Sequence, residues 1–311
     1  MVSYCVIAMA VALCCWAFQR LSIPRVDDEL ASEVILGVPR DDVSQLPPVF
    51  GHRGGGLDAP ENTLAAFLEA KKNHADGIEF DLSFTRDDVA VIFHDETLER
   101  TTNGTGRVED TTFEELRRLD ASCKHPLAQR FPAERVPTLA EAVEECLRLD
   151  MRLIIDIKNP DYRAVRVVDK LFRERDELYR RALVASFYPQ FVYLLRRRNP
   201  AIVTALIWRP GCLTYEDINN TRPWFESRPY HWTAQVADWL LDKALHTGLL
   251  PHLTGASAVL ISTNMMGPEY VRAWRKRGVH VIAWTSNHAA EKDFLRRKLR
   301  VPIITDTMRQ V

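Results

Sequence analysis

The chain predicts a (β/α)8 barrel, and three observations carry that reading. Short β-branched runs recur at residues 49–50, 77–83, 152–158, 182–186, 202–208, 258–262, 280–284 and 302–305. Most are separated by amphipathic stretches of helical period, such as 138–149 and 270–277. No GxGxxG loop follows the first run, which argues against the open doubly wound sheet. Eight such β/α units over about 260 residues fit a closed barrel.

Residues 2–18 carry no charged side chain and sit at the short end of the roughly 17 to 25 residues that span a bilayer. No basic residue precedes them and no small-x-small cleavage pattern follows, so an uncleaved membrane anchor over 1–20 is expected rather than a cleaved signal peptide. Arg20 and Arg25 after the span would leave the body cytoplasmic. The sequons Asn103-Gly-Thr105 and Asn219-Asn-Thr221 would matter only in a lumen, so the sequence leaves the side open. Residues 21–48 read as a linker or collar beneath a barrel domain over 49–311.

The first run, Val49-Phe50, leads to His52, a candidate proton carrier at a strand end. Arg53 and three glycines follow, leaving room for a ligand beside the backbone. Pro60-Glu61-Asn62-Thr63 then opens a helix with apolar positions at Leu64, Phe67 and Leu68. The run 89–94 follows 77–85 after only Arg86-Asp87-Asp88, too few residues for a parallel crossover. It is expected to fold back as a hairpin and bring His94 roughly opposite Glu79. Residues 94–137 then form an insertion over the barrel mouth.

Composition narrows the function classes. With 46% hydrophobic residues the chain of 311 can build a full core, and 41 Lys+Arg against 42 Asp+Glu give no electrostatic footprint of a nucleic-acid binder. Its six cysteines form no CxxC pair, so neither a zinc finger nor a dense disulfide scaffold is indicated.

Glu79 and Asp81 lie two apart in a run as apolar as GIEFDLSF, so both carboxylates point to one face. Two such charges repel unless a cation or a proton lies between them, and oxygen ligands suit a hard divalent ion such as Mg²⁺ or Ca²⁺. An ion-free edge pair is the alternative. The same spacing recurs at Asp156 and Lys158 in LIIDIKNP. These read either as a further ligand beside a phosphate-meeting cation or as an ion pair closing the barrel end.

Taken together, HRGG, APENT, the Glu79-x-Asp81 pair, HDETLERTTNGTG, Asp156-x-Lys158, AWTSN and IITD, in that order over residues 49–307, resemble the glycerophosphodiester phosphodiesterase family. The resemblance implies a barrel of the kind shared with phosphoinositide phospholipases. It also implies one divalent cation, Mg²⁺ ahead of Ca²⁺, and hydrolysis of small glycerophosphodiesters to sn-glycerol 3-phosphate and an alcohol. Matched position by position, His52 and His94 are the implied acid/base pair and Glu79, Asp81 and Asp156 the implied metal ligands. Arg53 and Lys158 are implied to face the phosphate, and Trp284 to line the pocket. Asp156 stands where the family more often has Glu, which bears on the preferred metal. Glycerophosphoinositol, glycerophospho-N-acylethanolamine and, by lysophospholipase D action, lysophospholipids are the implied substrates. A catalytically silent barrel that binds a lipid or protein partner is the rival, and intact His52, His94, Glu79 and Asp81 argue against it.

Residues 210–257 exceed the usual connection and hold Trp224, Phe225, Trp232, Trp239, Leu240, Leu241, Leu249 and Leu250. Trp232, Val236, Trp239, Leu240 and Lys243 fall on one helix side, and the segment is expected either to rest on a membrane or to serve as an outer barrel helix. Arg196-Arg197-Arg198 and Arg296-Arg297-Lys298 read as solvated helix ends, with attraction to anionic lipid as a secondary reading.

Overall fold

The structure is a computed structural model that describes residues 9, 12–13, 16–38, 44–158 and 160–309. Eight parallel strands close on themselves: β1 (Val49–His52), β2 (Gly77–Phe84), β4 (Arg152–Ile157), β5 (Ala182–Ser186), β6 (Thr204–Trp208), β7 (Ala258–Ser262), β8 (His280–Trp284) and β9 (Ile303–Thr305). β1 pairs with both β2 and β9, which shuts the barrel. The outward side chains of these strands join the inner faces of the surrounding helices in the main core, around Phe67, Phe80, Phe172 and Phe191.

The ninth strand, β3 (Ala90–Ile92), runs antiparallel to β2 with Leu82 opposite Ile92 and Phe84 opposite Ala90. The tight return at Thr85–Asp88 is held by the Thr85 hydroxyl, which donates to Asp87 Oδ1 at 2.7 Å while Val89 N donates to Thr85 Oγ1 at 3.1 Å. Beyond it, residues 93–137 pack with Val91 of β3 into a small separate core of Val91, Phe93, Leu98, Val108, Leu116, Ala121 and Val136. Two capping boxes start one helix inside this insertion and one directly after it. Thr112 and Glu115 start the helix Phe113–Arg118, and Thr138 and Glu141 start the helix Leu139–Arg148. Arg117 forks onto the Glu141 carboxylate at 2.6 and 2.7 Å, tying insertion to barrel helix.

Several local expectations are corrected. The helix after β1 spans Leu64–Lys72 with Thr63 as its cap, so Pro60 lies outside it in the preceding turn. Gly54 has φ +86°, and a Cβ there would meet Ala66 Cβ at 2.7 Å. The space beside this glycine is filled by the following helix rather than left open for a ligand. Within residues 21–48 the helix Asp28–Leu36, capped by Asp27 and ended by Gly37 in the left-handed region, buries Ala31, Val34 and Ile35 against Phe50, Ile154, Ala205 and Ile282. It plugs the N-terminal end of the barrel, so this stretch contributes to the core.

Arg196 is no solvated helix end. It is 1% exposed and donates to the carbonyls of Pro24 at 2.5 Å and Ile202 at 3.0 Å. Arg296 likewise turns inward to the Pro47 carbonyl at 2.9 Å. Arg197, Arg297 and Lys298 are exposed. Most of the apolar stretch at 2–18 lies outside the described residues, and no helix among the described residues is long and apolar enough to cross a membrane.

Candidate active site

Register brings the acidic residues together. His52, the last residue of β1, sits beside Glu79 on β2, and two residues further along β2 Asp81 sits beside Asp156 on β4. Because side chains alternate along a strand, Glu79, Asp81 and Asp156 all turn inward at the C-terminal mouth. Each offers a carboxylate oxygen within 4.8 Å of the others, and all three are buried.

Such a cluster is electrostatically expensive. Burial, and then the charges of Asp81 and Asp156, push Glu79 well above the usual glutamate range. Burial pushes Asp156 up to about 7 even with Lys158 nearby. For Asp81 burial acts in the same upward direction but is outweighed by the charges of His94, Arg53 and Lys158 and by a hydrogen bond from Asn62, so this carboxyl is held far below its usual range. The donors are all oxygens, and Asp156 Oδ1 and Asn62 Oδ1 are buried with no hydrogen-bond partner among the described residues. That set fits a hard divalent cation, which would neutralise the repulsion and use the orphaned oxygen.

Both histidines are oriented by carboxylates. His52 Nδ1 lies 2.5 Å from Asp306 Oδ1, just past β9, and His94 Nδ1 lies 2.6 Å from Asp95 Oδ1. Despite burial, the hydrogen bonds and charge of their partners hold Asp306 and Asp95 below the usual range, so both are ionised acceptors. An ionised acceptor requires a proton on each Nδ1, which leaves Nε2 of the neutral ring as the basic atom. His52 Nε2 points to the acidic cluster, 3.9 Å from Glu79 Oε2. Burial lowers the pKa of His94, against the pull of Asp81 and Asp95.

Arg53 is held more tightly than its expected phosphate-facing role suggests. Its backbone N donates to Glu79 Oε2 at 3.0 Å, its Nη1 to Glu61 Oε1 at 2.9 Å, and its Nε lies 3.5 Å from Asp81 Oδ2. Glu61 also takes a two-pronged contact from Arg100 at 2.7 and 2.8 Å, and Arg100 Nε reaches Asp95 at 2.6 Å. An unbroken chain therefore runs from His94 by a hydrogen bond to Asp95, and from there by ion pairs through Arg100 and Glu61 to Arg53. Lys158, just past β4, has Nζ 4.0 Å from Asp81 Oδ1 and over the Phe187 ring at 5.8 Å. Trp284, the last residue of β8, meets Phe187 edge-on at 5.8 Å, and its Nε1 is buried without a partner among the described residues. These three side chains line one wall of the mouth.

All eight residues singled out in the sequence lie at this end of the barrel. Asp306, Asp95, Asn62, Glu61, Arg100 and Asn287 were not assigned roles, although each lies within the motifs quoted above. Asn287 Nδ2 donates to Asp306 Oδ2 at 2.7 Å, so the AWTSN and IITD motifs meet behind His52. A separate cleft of about 1000 Å³ opens between the insertion and the outer helices, lined by Phe84, Arg107, Tyr162, Arg163 and Leu194. Arg107 and Arg163 there are paired with Glu109 and Asp161, and the cleft includes none of the residues at the mouth.

Comparison with known proteins agrees with this geometry. The profile of the Glycerophosphoryl diester phosphodiesterase family matches residues 52–310. Glycerophosphodiester phosphodiesterase 1 of Bos taurus is 42% identical over 270 residues, covering 87% of this chain and 80% of that protein. The glycerophosphodiester phosphodiesterase of Caldanaerobacter subterraneus is 30% identical over 260 residues, covering 83% and 93%. Among solved structures, a glycerophosphodiester phosphodiesterase from Agrobacterium tumefaciens superposes with a TM-score of 0.64 at 26% identity, covering 84% of this chain and 96% of its own. A phosphodiesterase of Oleispira antarctica, solved with the product sn-glycerol-3-phosphate, shares the fold with a TM-score of 0.65 at 24% identity, covering 85% and 94%. This chain belongs to the glycerophosphoryl diester phosphodiesterase family and is a phosphoric diester hydrolase.

Proposed function

We propose that the chain hydrolyses glycerophosphodiesters to sn-glycerol 3-phosphate and an alcohol, with His52 and His94 exchanging protons through Nε2. One observation carries the reading: two histidines, each fixed at Nδ1 by an ionised carboxylate, stand beside three buried carboxylates at the barrel mouth. The attacking oxygen, from water or from the substrate's own glycerol hydroxyl, loses its proton to one Nε2 as its bond to phosphorus forms. The other histidine, held as imidazolium, protonates the departing alkoxide as its bond breaks; where the glycerol hydroxyl attacks, this step leaves a cyclic phosphate, and water then adds to phosphorus and opens the ring to sn-glycerol 3-phosphate by the same proton exchange. Negative charge growing on the phosphoryl oxygens is met by Lys158 and by Arg53, whose ion pairs with Glu61 and Asp81 hold it in place. When bound by Glu79, Asp81 and Asp156, a divalent cation, Mg²⁺ ahead of Ca²⁺, would add positive charge at the same oxygens. Asp156 is shorter by a methylene than the Glu more usual in the family, which bears on which of the two ions the site prefers.

Glycerophosphoinositol and glycerophospho-N-acylethanolamine are the proposed headgroup classes, and lysophospholipids retaining one acyl chain are a second substrate class for the same bond. Residues 1–20 are proposed to anchor the chain in a membrane and 49–311 to form the catalytic domain. The test is ³¹P NMR of products formed by the full chain on these substrates with Mg²⁺, beside His52→Ala and His94→Ala. Release of sn-glycerol 3-phosphate that falls about 10²-fold or more in both variants is expected. Unchanged turnover in both would remove the two-histidine mechanism.

A further inference from the structure

The exposed face of the helix Arg228–His246 has its polarity inverted. Other outer helices of the barrel show water a charged side: Arg166, Lys170, Arg173 and Glu174 on Arg163–Glu174, and Arg272, Arg275 and Lys276 on Pro268–Lys276. On Arg228–His246 the exposed stripe is Trp232, Gln235, Val236, Trp239, Leu240 and Lys243, at i, i+3, i+4, i+7, i+8 and i+11. Trp232 is 64%, Trp239 59% and Leu240 55% exposed, although the opposite face already buries Ala234 and Leu245 against the barrel. The turn leading into the helix adds Trp224 and Phe225, and the first turn of the helix adds Tyr230, all exposed. A contiguous patch of this size on a water-facing helix signals a missing partner, and its richness in Trp and Tyr matches the chemistry of a bilayer's interfacial zone.

The rest of the chain indicates which partner that is. Helix Leu249–Thr254 follows directly on Arg228–His246, and there Phe18 stacks on His252 at 5.4 Å and Ile23 N donates to the Leu253 carbonyl at 3.1 Å. Tyr193 Oη donates to the Leu21 carbonyl at 3.1 Å on the neighbouring helix. Phe18, the last residue of the uncharged stretch, and the residues after it therefore meet the body on the flank that carries the aromatic stripe. Met9, Leu13 and Trp16 are 70%, 63% and 56% exposed, so these residues leave the body instead of covering the stripe. Two uncovered apolar features on one flank call for one apolar phase.

We infer that the outer face of Arg228–His246, together with Trp224, Phe225 and Tyr230, lies in the interfacial layer of a lipid bilayer, held by insertion of its aromatic and aliphatic side chains rather than by charge. β6 ends at the mouth, so the turn 209–227 and the Trp232 end of the helix lie at the mouth side. The lipid surface then borders the entrance to the active site, where an amphiphilic phosphodiester arrives already oriented. The docking itself does not depend on the catalytic reading, because it is measured without turnover.

The experiment uses the full chain in phosphatidylcholine bilayers whose acyl chains are brominated near the headgroup, reading quenching of tryptophan emission. Trp232→Phe with Trp239→Phe keeps the face apolar and leaves five of the seven tryptophans. Wild type is expected to lose a larger fraction of its emission to bromine than the double variant, and the difference is expected to persist in 1 M salt. Thermal unfolding of the variant checks that the fold is kept. Equal fractional quenching in the two proteins would overturn the proposal, as would a difference abolished by salt. Shielding of these tryptophans from iodide that tracks protein concentration, without bromine quenching, would assign the face to a second copy of the chain and overturn it equally.

Discussion

Replacing Asp306 by Asn tests whether His52 works as a proton carrier or only packs. Asp306 receives two donors, His52 Nδ1 at Oδ1 and Asn287 Nδ2 at Oδ2. Both carboxylate oxygens accept, whereas an amide offers one acceptor and one donor. If the new amide oxygen keeps the Asn287 bond, its NH₂ faces His52 Nδ1 and forces that nitrogen to accept. The ring proton then moves to Nε2, the atom that should take a proton from the nucleophile. If the amide turns the other way, two NH₂ groups meet at Asn287. The first arrangement satisfies every partner and disables the base, so kcat is expected to fall about 10²–10⁴-fold, or about 2.7–5.4 kcal/mol of transition-state stabilisation. KM should move little, because Asp306 acts through His52. Loss of one charge-assisted hydrogen bond costs about 1.5–3 kcal/mol of stability, which a folded domain of this size tolerates. The assay is steady-state release of sn-glycerol 3-phosphate, with thermal unfolding as the fold control. A folded Asp306→Asn protein with kcat within about threefold of wild type would refute the orienting role, since even weak general-base catalysis is worth more than that.

Further outcomes follow from the same geometry. Asp156 sits at about 7 in the metal-free fold, above its ordinary carboxyl range. A raised pKa contributes stability that is fully present below the unfolded value and is lost as pH rises through the folded one, so the loss runs from about pH 4 to about pH 7. With both proteins chelated, Asp156→Asn should therefore gain Tm relative to wild type between pH 5 and pH 8; a constant difference would contradict this. Because the cation must displace those protons, Mn²⁺ affinity followed by EPR should be weaker at pH 6 than at pH 8, and equal affinity would count against the carboxylate site. Arg196→Met should destabilise by about 2–4 kcal/mol in urea unfolding, because it orphans the carbonyls of Pro24 and Ile202, and a loss under about 0.5 kcal/mol would show that water replaces it. Gly54→Ala should cost about 1–3 kcal/mol through its positive φ and the contact with Ala66, with wild-type stability as the contrary result.

Much of the fold was legible because hydrophobic period and register are written locally. The eight strand runs, the 89–94 hairpin and the helix near 138–149 follow from alternation, turn length and a capping Thr. Register also made the acidic site legible: spacing by two on β2, and on one partner strand, necessarily puts Glu79, Asp81 and Asp156 on one side. What periodicity misses is the layer behind the reacting groups. Asp306 and Asp95 matter because of which nitrogen they touch, and nothing in the pattern of IITD or HDET says that the carboxylate turns toward an imidazole. Arg196 shows the opposite error. A triplet of arginines at a helix end looks solvated, yet one of them faces the linker and is consumed by backbone carbonyls, which depends on a tertiary contact 172 residues away. One of the three glycines after His52 misleads for a related reason: Gly54 is required by the approach of Ala66, not by a ligand.

The central claim is that phosphodiester hydrolysis depends on a cation held by Glu79, Asp81 and Asp156. It is tested most directly by stripping the full chain with EDTA and adding Mg²⁺ back while following glycerophosphoinositol turnover and bound metal per chain. Wild type is expected to lose activity on chelation and regain it as one cation binds, while Glu79→Gln and Asp81→Asn regain neither. Turnover that survives chelation, or that both variants recover together with wild type, would contradict the account.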